Sequence, residues 1–261
     1  MSVSSFPEMY ERWLVGPLFR PFAEVLVERA HLAAGDRVLD IACGTGIAAR
    51  LAKERVGHSP VVGIDASPQM LDVARAIAPE IEWRTGNAGA LPLKKGESFD
   101  VVFCHQGLQF FPDRAAALRE MKRVLTPGGR LVAGVWRSLE ESPFLRESYH
   151  IAQRQLGSFV DRRHSFADPD ALEHLIRQAG FHHVHVEQLT RVIRFADPTA
   201  FVRMNTMALV GMGGAPTGTD EERATLVADI VAASAAVVRQ YSDVDGLAFE
   251  LSANVATAHT K

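Results

Sequence analysis

Residues 38–46 read Val38-Leu39-Asp40-Ile41-Ala42-Cys43-Gly44-Thr45-Gly46, a short apolar run that passes through a carboxylate into a turn with two glycines. Helical periodicity follows in GIAARLAKERV (46–56), and a second apolar run, PVVGID, occupies 60–65. Strand, glycine turn, helix and strand in that order are the signature of a parallel βαβ unit. The alternation continues outward through a helix at 68–77, a strand near 81–85, the strand FDVVFCH at 99–105, a helix at 113–125 and the strand GGRLVAGVW at 128–136. This order predicts an α/β fold, a doubly wound and mostly parallel sheet with helices on both faces.

Farther along, a helix at 168–179 is punctuated by Asp168 as N-cap, Pro169 in the first turn and Gly180 as the stop. Strands are expected at 184–195 and 246–260, which brings the sheet to seven, with the final strand antiparallel. Helical stretches at 6–30, 142–157 and 197–241 precede or interrupt the sheet pattern without belonging to it, and GMGGAPTG (211–218) reads as a flexible connector between two helices. The chain of 261 residues is longer than one ordinary domain of roughly 150 residues. We therefore expect one domain over 1–261 whose excess forms a helical lid in three segments, 1–30, 137–167 and 195–245.

Composition narrows the function. Hydrophobic residues at 47% and charged residues at 23% exclude a disordered chain, and a net charge of −3 leaves no basic excess for nucleic acid. No targeting pattern opens the chain and no apolar run is long enough for a membrane span, so a cytoplasmic protein is expected. Cys43 and Cys104 are too few for a disulfide framework and read as reduced filler at strand ends.

The chemistry begins at the glycine turn, which lets backbone pass close to a ligand. Gly44-Thr45-Gly46-Ile47-Ala48-Ala49 satisfies the pattern of nicotinamide and flavin nucleotide folds, and Asp65 follows Gly46 at the spacing of a ribose-binding acid. Asp40 separates the candidates: a carboxylate at the strand tip opposes a pyrophosphate but suits a cationic amino group. A ligand with an ammonium, a sulfonium and a ribose is S-adenosylmethionine.

The run VLDIACGTG, VVGIDASPQML, GNAGALPL, FDVVFCHQGLQFFPD and RVLTPGGRLVAGVW resembles the class I S-adenosylmethionine-dependent methyltransferases, in particular the small-molecule branch with the ubiquinone and menaquinone biosynthesis enzymes. The resemblance covers about 38–136 and implies a Rossmann-like sheet, S-adenosylmethionine as cofactor and S-adenosylhomocysteine as product. It implies that Asp40 and the loop Ala42, Cys43, Gly44 and Gly46 hold the methionine part. Asp65, beside Ala66, would bind both ribose hydroxyls, and Met70 would pack on the adenine. Asn87 and Ala88 would meet the adenine edge, with Gly86 allowing close approach. Family members often carry Gly at the position of Ala42 and Asp at that of Asn87.

After the fourth strand, Cys104-His105-Gln106-Gly107-Leu108-Gln109-Phe110-Phe111-Pro112 should lie beside the transferred methyl group. It lacks the Asn/Asp-Pro-Pro-aromatic segment of DNA and protein amide methyltransferases. His105 is a candidate either as general base or as a positioning residue for cofactor or loop. Tyr10 on the first helix would reach the methionine carboxylate or pack in the core, with Trp13, Phe19 and Phe22 as companions. Phe201, Met204, Met207, Leu209 and Met212 make the third lid segment apolar, suiting an apolar acceptor or plain core packing. His150 and His164 in the second lid segment could line a pocket, though surface placement is expected, and His182, His183 and His185 have no Asp or Glu within their short tract to complete a metal site. The expected activity is methyl transfer to an O, N or C atom of a small hydrophobic molecule. A pericyclase or isomerase with the cofactor in a structural role, and a non-catalytic cofactor-binding partner, are the alternatives.

Overall fold

The computed structural model describes residues 5–157, 159–210 and 219–261. The connector at 211–218, with Met212, lies outside them. Ser5 and Glu8 form a capping box on α1 (Phe6–Tyr10), which runs through a π-helical stretch, Glu11–Phe19, into α2 (Arg20–Arg29). The π stretch contains Pro17, which has no N–H to give to a helix ladder.

Strand β1 (Val38–Ile41) is buried along its whole length and hands over to α3 (Ile47–Val56), β2 (Val61–Asp65), α4 (Pro68–Ile77) and β3 (Glu82–Thr85). Then come β4 (Phe99–His105), α5 (Arg114–Val124) and β5 (Leu125–Trp136). Side-chain oxygens of Ser67, Asp113 and Asp168 cap α4, α5 and α7 (Pro169–Gln178). Such caps satisfy amides that have no partner within the helix, which is why these starts were readable in sequence. Between β5 and α7 lies α6 (Pro143–Leu156), and beyond α7 lies β6 (His182–Phe195). The chain closes with α8 (Pro198–Leu209), α9 (Asp220–Ala233), α10 (Ala235–Gln240), β7 (Ser242–Asp243) and β8 (Gly246–His259). The apolar run at 223–241 breaks at buried Ser234, whose hydroxyl donates to the Ile230 carbonyl.

The strand order is β3-β2-β1-β4-β5-β8-β6, with β7 added on β8. Strands β1 to β5 pair in parallel, and β8 runs antiparallel to both β5 and β6. The seven expected strands are thus present, and the two-residue β7 is an addition the sequence did not suggest. The order reverses between β1 and β4, so their carboxyl ends part and leave a crevice.

The sheet is packed on both faces. Phe99, Leu118, Met121, Ile176 and Phe181 belong to one buried cluster, and Leu26, Leu51, Leu71, Trp83 and Phe103 to another. A third cluster joins Leu14 and Phe22 from the N-terminal segment, Trp136, Phe144 on α6, Phe201 on α8 and Phe249 on β8. The α6 and α8 segments therefore meet through the rings of Phe144 and Phe201, and the N-terminal segment packs its rings on Trp136 of β5.

Simple alternation does not hold across the histidine tract. A register shift between His182 and His185 inserts a bulge, and His183 takes a φ of 51°. Its ring meets His259 edge-on at 6.1 Å. Among the described residues no three His, Cys, Asp or Glu side chains are grouped to hold a metal ion, and no helix is long and apolar enough to cross a membrane.

A Cβ on Gly63 would stand 2.3 Å from the Trp83 ring and 3.0 Å from the Cys43 sulfur. Gly63→Ala should lower unfolding free energy by about 1–3 kcal/mol through overpacking, measured by urea denaturation. An unchanged midpoint would mean that Trp83 repacks freely.

Candidate functional site

A cavity of about 680 Å³ opens at the carboxyl ends of β1, β2 and β4 and is roofed by the N-terminal, α6 and α8 segments. Of the expected site residues, Tyr10, Asp40, Ala42, Cys43, Gly44, Asp65, Ala66, Met70, Gly86, Asn87, Ala88, His105 and Gln106 line it. Gly46 does not. It caps α3 with a φ of 87°, and a Cβ there would run into the Trp83 ring at 2.2 Å. The close approach at Gly46 is therefore to a side chain of the chain itself. Gly86 does line the cavity, and a Cβ there would lie 2.5 Å from Pro92 Cδ, on the side facing the fold.

The loop after β1 is bent by left-handed residues, Ala42 at φ 57° and Gly44 at φ 56°. An alanine in that region is strained by roughly 1–2 kcal/mol, which explains why glycine suits the position. Gly107 accommodates the methyl group of Ala42, for a Cβ on Gly107 would come within 2.7 Å of it.

Two carboxylates bracket this loop. Asp65 Oδ2 accepts from the Gly44 amide at 2.8 Å and its Oδ1 from the Ser67 amide at 2.8 Å. Each oxygen retains a lone pair toward the cavity. Burial raises the Asp65 carboxyl above its ordinary range, against the pull of those amides. Asp40 is buried more deeply. Its Oδ2 accepts from the Ala49 amide at 3.0 Å, while Oδ1 has no hydrogen-bond partner. Burial, opposed by that amide and reinforced by the charge of Asp65, pushes its pKa up to about 7. A buried carboxylate with a free oxygen is unfavourable unless a donor or cation arrives, and the wall of the cavity is where one would come.

Tyr10 is half-buried, its hydroxyl 4.0 Å from the position of a Cβ on Gly44. Burial and the Asp65 charge raise the phenol, so it remains a neutral donor. Ion pairing of Arg50 with Glu11 at 2.8 Å anchors its segment to α3. Phe19 stands edge-on to His105 at 6.0 Å, whereas Trp13 and Phe22 do not reach the cavity. Asn87 sits exposed at the rim, where its Oδ1 accepts from the Gly89 amide at 2.8 Å and shapes its own turn.

At the tip of β4, burial lowers the His105 pKa to about 3, so the ring is neutral at physiological pH. Its Nε2 and the Gln106 amide nitrogen are buried without partners, and Gln106 takes a φ of 58°. Gln109 donates to Gln106 at 3.3 Å. Burial also raises both cysteine thiols, Cys104 to about 12, and neither cysteine is in a disulfide.

Phe201 and Met207 line the cavity, but Met204 and Leu209 belong to core clusters. His150 is exposed as expected. His164 is not: it lines the cavity, with Nδ1 2.7 Å from the Arg137 carbonyl. Sequence reading missed Arg163 and Asn205, which line the cavity from a turn and from α8. They belong to no motif, and only the packing of distant segments brings them to the site.

Residues 39–133 match the family described as a methyltransferase domain. The chain is 36% identical over 168 residues to a demethylmenaquinone methyltransferase of Lactococcus lactis, covering 56% of this chain and 66% of that protein. It is 36% identical over 182 residues to the enzyme of the same name from Thermus thermophilus, covering 63% of this chain and 82% of the relative. The structure of YcgJ from Bacillus subtilis superposes with a TM-score of 0.60 at 21% identity, covering 92% of this chain and 97% of YcgJ. The chain belongs to the class I S-adenosylmethionine-dependent methyltransferases, and among them it resembles the enzymes of menaquinone biosynthesis.

Asp65→Ala should weaken S-adenosylhomocysteine binding by more than about tenfold in calorimetry, since charged hydrogen bonds to a ligand are strong. Asp40 should make that affinity pH-dependent. Its carboxyl titrates near 7, so binding that needs the ionised form should fall by about tenfold from pH 8 to pH 6. Asp40→Asn should flatten this profile.

Proposed function

We propose that the chain holds S-adenosylmethionine along the β1 and β2 tips and presents its methyl group to a small hydrophobic acceptor beside His105 and Gln106. The observation that carries this reading is the pair of carboxylates around a left-handed loop, Asp65 half-buried and Asp40 fully buried with an unpartnered oxygen, on the wall of a large cavity. In this reading Asp40 and Tyr10 take the amino-acid end, Asp65 the ribose hydroxyls, and Met70, Asn87 and Ala88 the adenine. Bound there, S-adenosylmethionine supplies an electrophilic methyl group on a sulfonium.

The remaining work falls to the chain. Methyl transfer from a charged electrophile needs alignment and exclusion of water more than acid or base. His105, neutral and far below the range of an effective base, positions an acceptor atom or the loop through Nε2 and does not take a proton. Phe19, Phe110, Trp136, Phe201 and Met207 offer an apolar and aromatic wall. That wall suits a ring-bearing acceptor, in line with relatives named for demethylmenaquinone. The segments 1–30, 137–167 and 195–245 act in this reading as one lid on a single domain that closes the cavity to water. A cytoplasmic location is in keeping with two free, buried cysteines.

Incubation with S-adenosylmethionine and a naphthohydroquinone or a panel of hydroxylated aromatics, followed by mass spectrometry, should give S-adenosylhomocysteine and a product heavier by one CH₂. An isobaric product would favour a pericyclase instead. S-adenosylhomocysteine binding without turnover of any acceptor would point to a cofactor-binding partner.

A further inference from the structure

The wall of the cavity carries a cation that methyl transfer itself does not require. Arg163 is the sole Lys or Arg among the described residues that line it. It is held from two sides. Its Nε lies 2.8 and 3.1 Å from the two oxygens of Asp161, and Nη2 lies 2.6 Å from Asp161 Oδ2. Its Nη1 donates to Asn205 Oδ1 on α8 at 2.7 Å. Asp161 and Asn205 are both buried.

The turn that bears Arg163 is itself fastened to the sheet. Arg162 donates to the Phe110 carbonyl at 2.9 Å, His164 Nδ1 meets the Arg137 carbonyl at 2.7 Å, and Asn254 on β8 donates to the Ala167 carbonyl at 2.7 Å. Arg137 in turn donates to Asn254 Oδ1 at 2.9 Å. The guanidinium is thus preorganised by contacts to the turn after β4, to the residue that follows β5 and to Asn254 within β8.

A guanidinium has five N–H donors. The bonds to Asp161 and Asn205 use three of them and leave one on each terminal nitrogen. No second acceptor meets these among the described residues, and 22% of the side chain remains exposed, on the cavity wall. A buried pair with a single role in holding the turn would have no reason to leave donors open to a substrate-sized space. Asp161 cancels much of the charge at long range, which keeps the cavity from gathering anions at random. It does not remove the short-range donors.

We propose that Arg163 is the specificity residue of the acceptor site: it binds an anionic oxygen of the methyl acceptor, so the preferred acceptors are ring-bearing apolar molecules with one carboxylate or phenolate. This rests on the assignment of the cavity to methyl transfer. The ring lies against Phe201 and Met207 on α8, the helix that also supplies Asn205. The acidic oxygen lies on the two open N–H groups.

The test uses the full chain saturated with S-adenosylhomocysteine and two pairs of probes, naphthalene carboxylate against its carboxamide and nitronaphthol against its methyl ether. Calorimetry should show the anion of at least one pair bound about tenfold more tightly than its neutral partner. The pair that shows the preference identifies the source of the oxygen. Arg163→Gln alone would strand the Asp161 carboxylate in the interior, so the variant is the double substitution Asp161→Asn with Arg163→Gln, checked by thermal melting. It should bind the anionic and neutral probes alike while S-adenosylhomocysteine affinity stays within about twofold of the original. Asn205→Ala, which leaves the ion pair whole, should lower the preference in part. Equal binding of both members of both pairs by the unmodified chain would overturn the proposal, as would a preference that survives the double substitution. A roughly tenfold loss of S-adenosylhomocysteine affinity in the double variant would also overturn it, because Arg163 would then serve the cofactor's carboxylate. An unmodified chain that binds no S-adenosylhomocysteine would instead overturn the cofactor assignment, and this one with it.

Discussion

The carboxylate of Asp65 accepts hydrogen bonds from the Gly44 and Ser67 amides, and these two bonds tie together the parts of the chain on which the site is built. One amide belongs to the loop that leaves β1, the other to the residue that caps α4. A single side chain at the end of β2 thereby fixes how two neighbouring strands hand over to their helices. Asp40, one strand inward, does the same for α3 through Ala49. Both groups stand in a buried region that disfavours their charge. The loop amides supply part of the compensation, and the cavity is open on the side where the rest is missing.

Around this rigid floor, the roof is assembled from segments distant in sequence. Phe144 stacks on Phe249 at 4.9 Å, Phe201 lies 4.2 Å from Phe195, and Phe22 meets Trp136 edge-on at 4.9 Å. Each ring comes from a different element, so none of these helices could bury its apolar face alone. Polar contacts cross the same junction, where Arg163 spans from the turn after α6 to Asn205 on α8.

Much of the floor was legible because its signals are local. Asp168 before Pro169 marks a helix start through the caps it makes, and the run of β1, apolar but for Asp40, marks a strand covered on both faces. Asp40 and Asp65 could be picked out for their place at strand tips, and the structure puts both on the cavity. Less legible was what each glycine is for. Gly46 looked like a place for a ligand to come close, yet it is off the cavity and the Trp83 ring occupies the space where its Cβ would be. The sequence shows that a Cβ is absent but not which atom stands where it would have been. Arg163 was unreadable for a related reason: its contact to Asn205 spans 42 positions along the chain.

The sequence by itself determined the succession of strands and helices, the strand tips that carry acid groups, and the family to which the chain belongs. Those features depend on periodicity, capping and turn residues, which act over a few positions and so survive in a one-dimensional reading. Only the tertiary structure decided that Asp40 keeps an oxygen free, that His105 is buried and neutral, and that Arg163 lines the cavity. Burial and partner choice are properties of what packs against a side chain from elsewhere, and the chain must be folded before that neighbour exists.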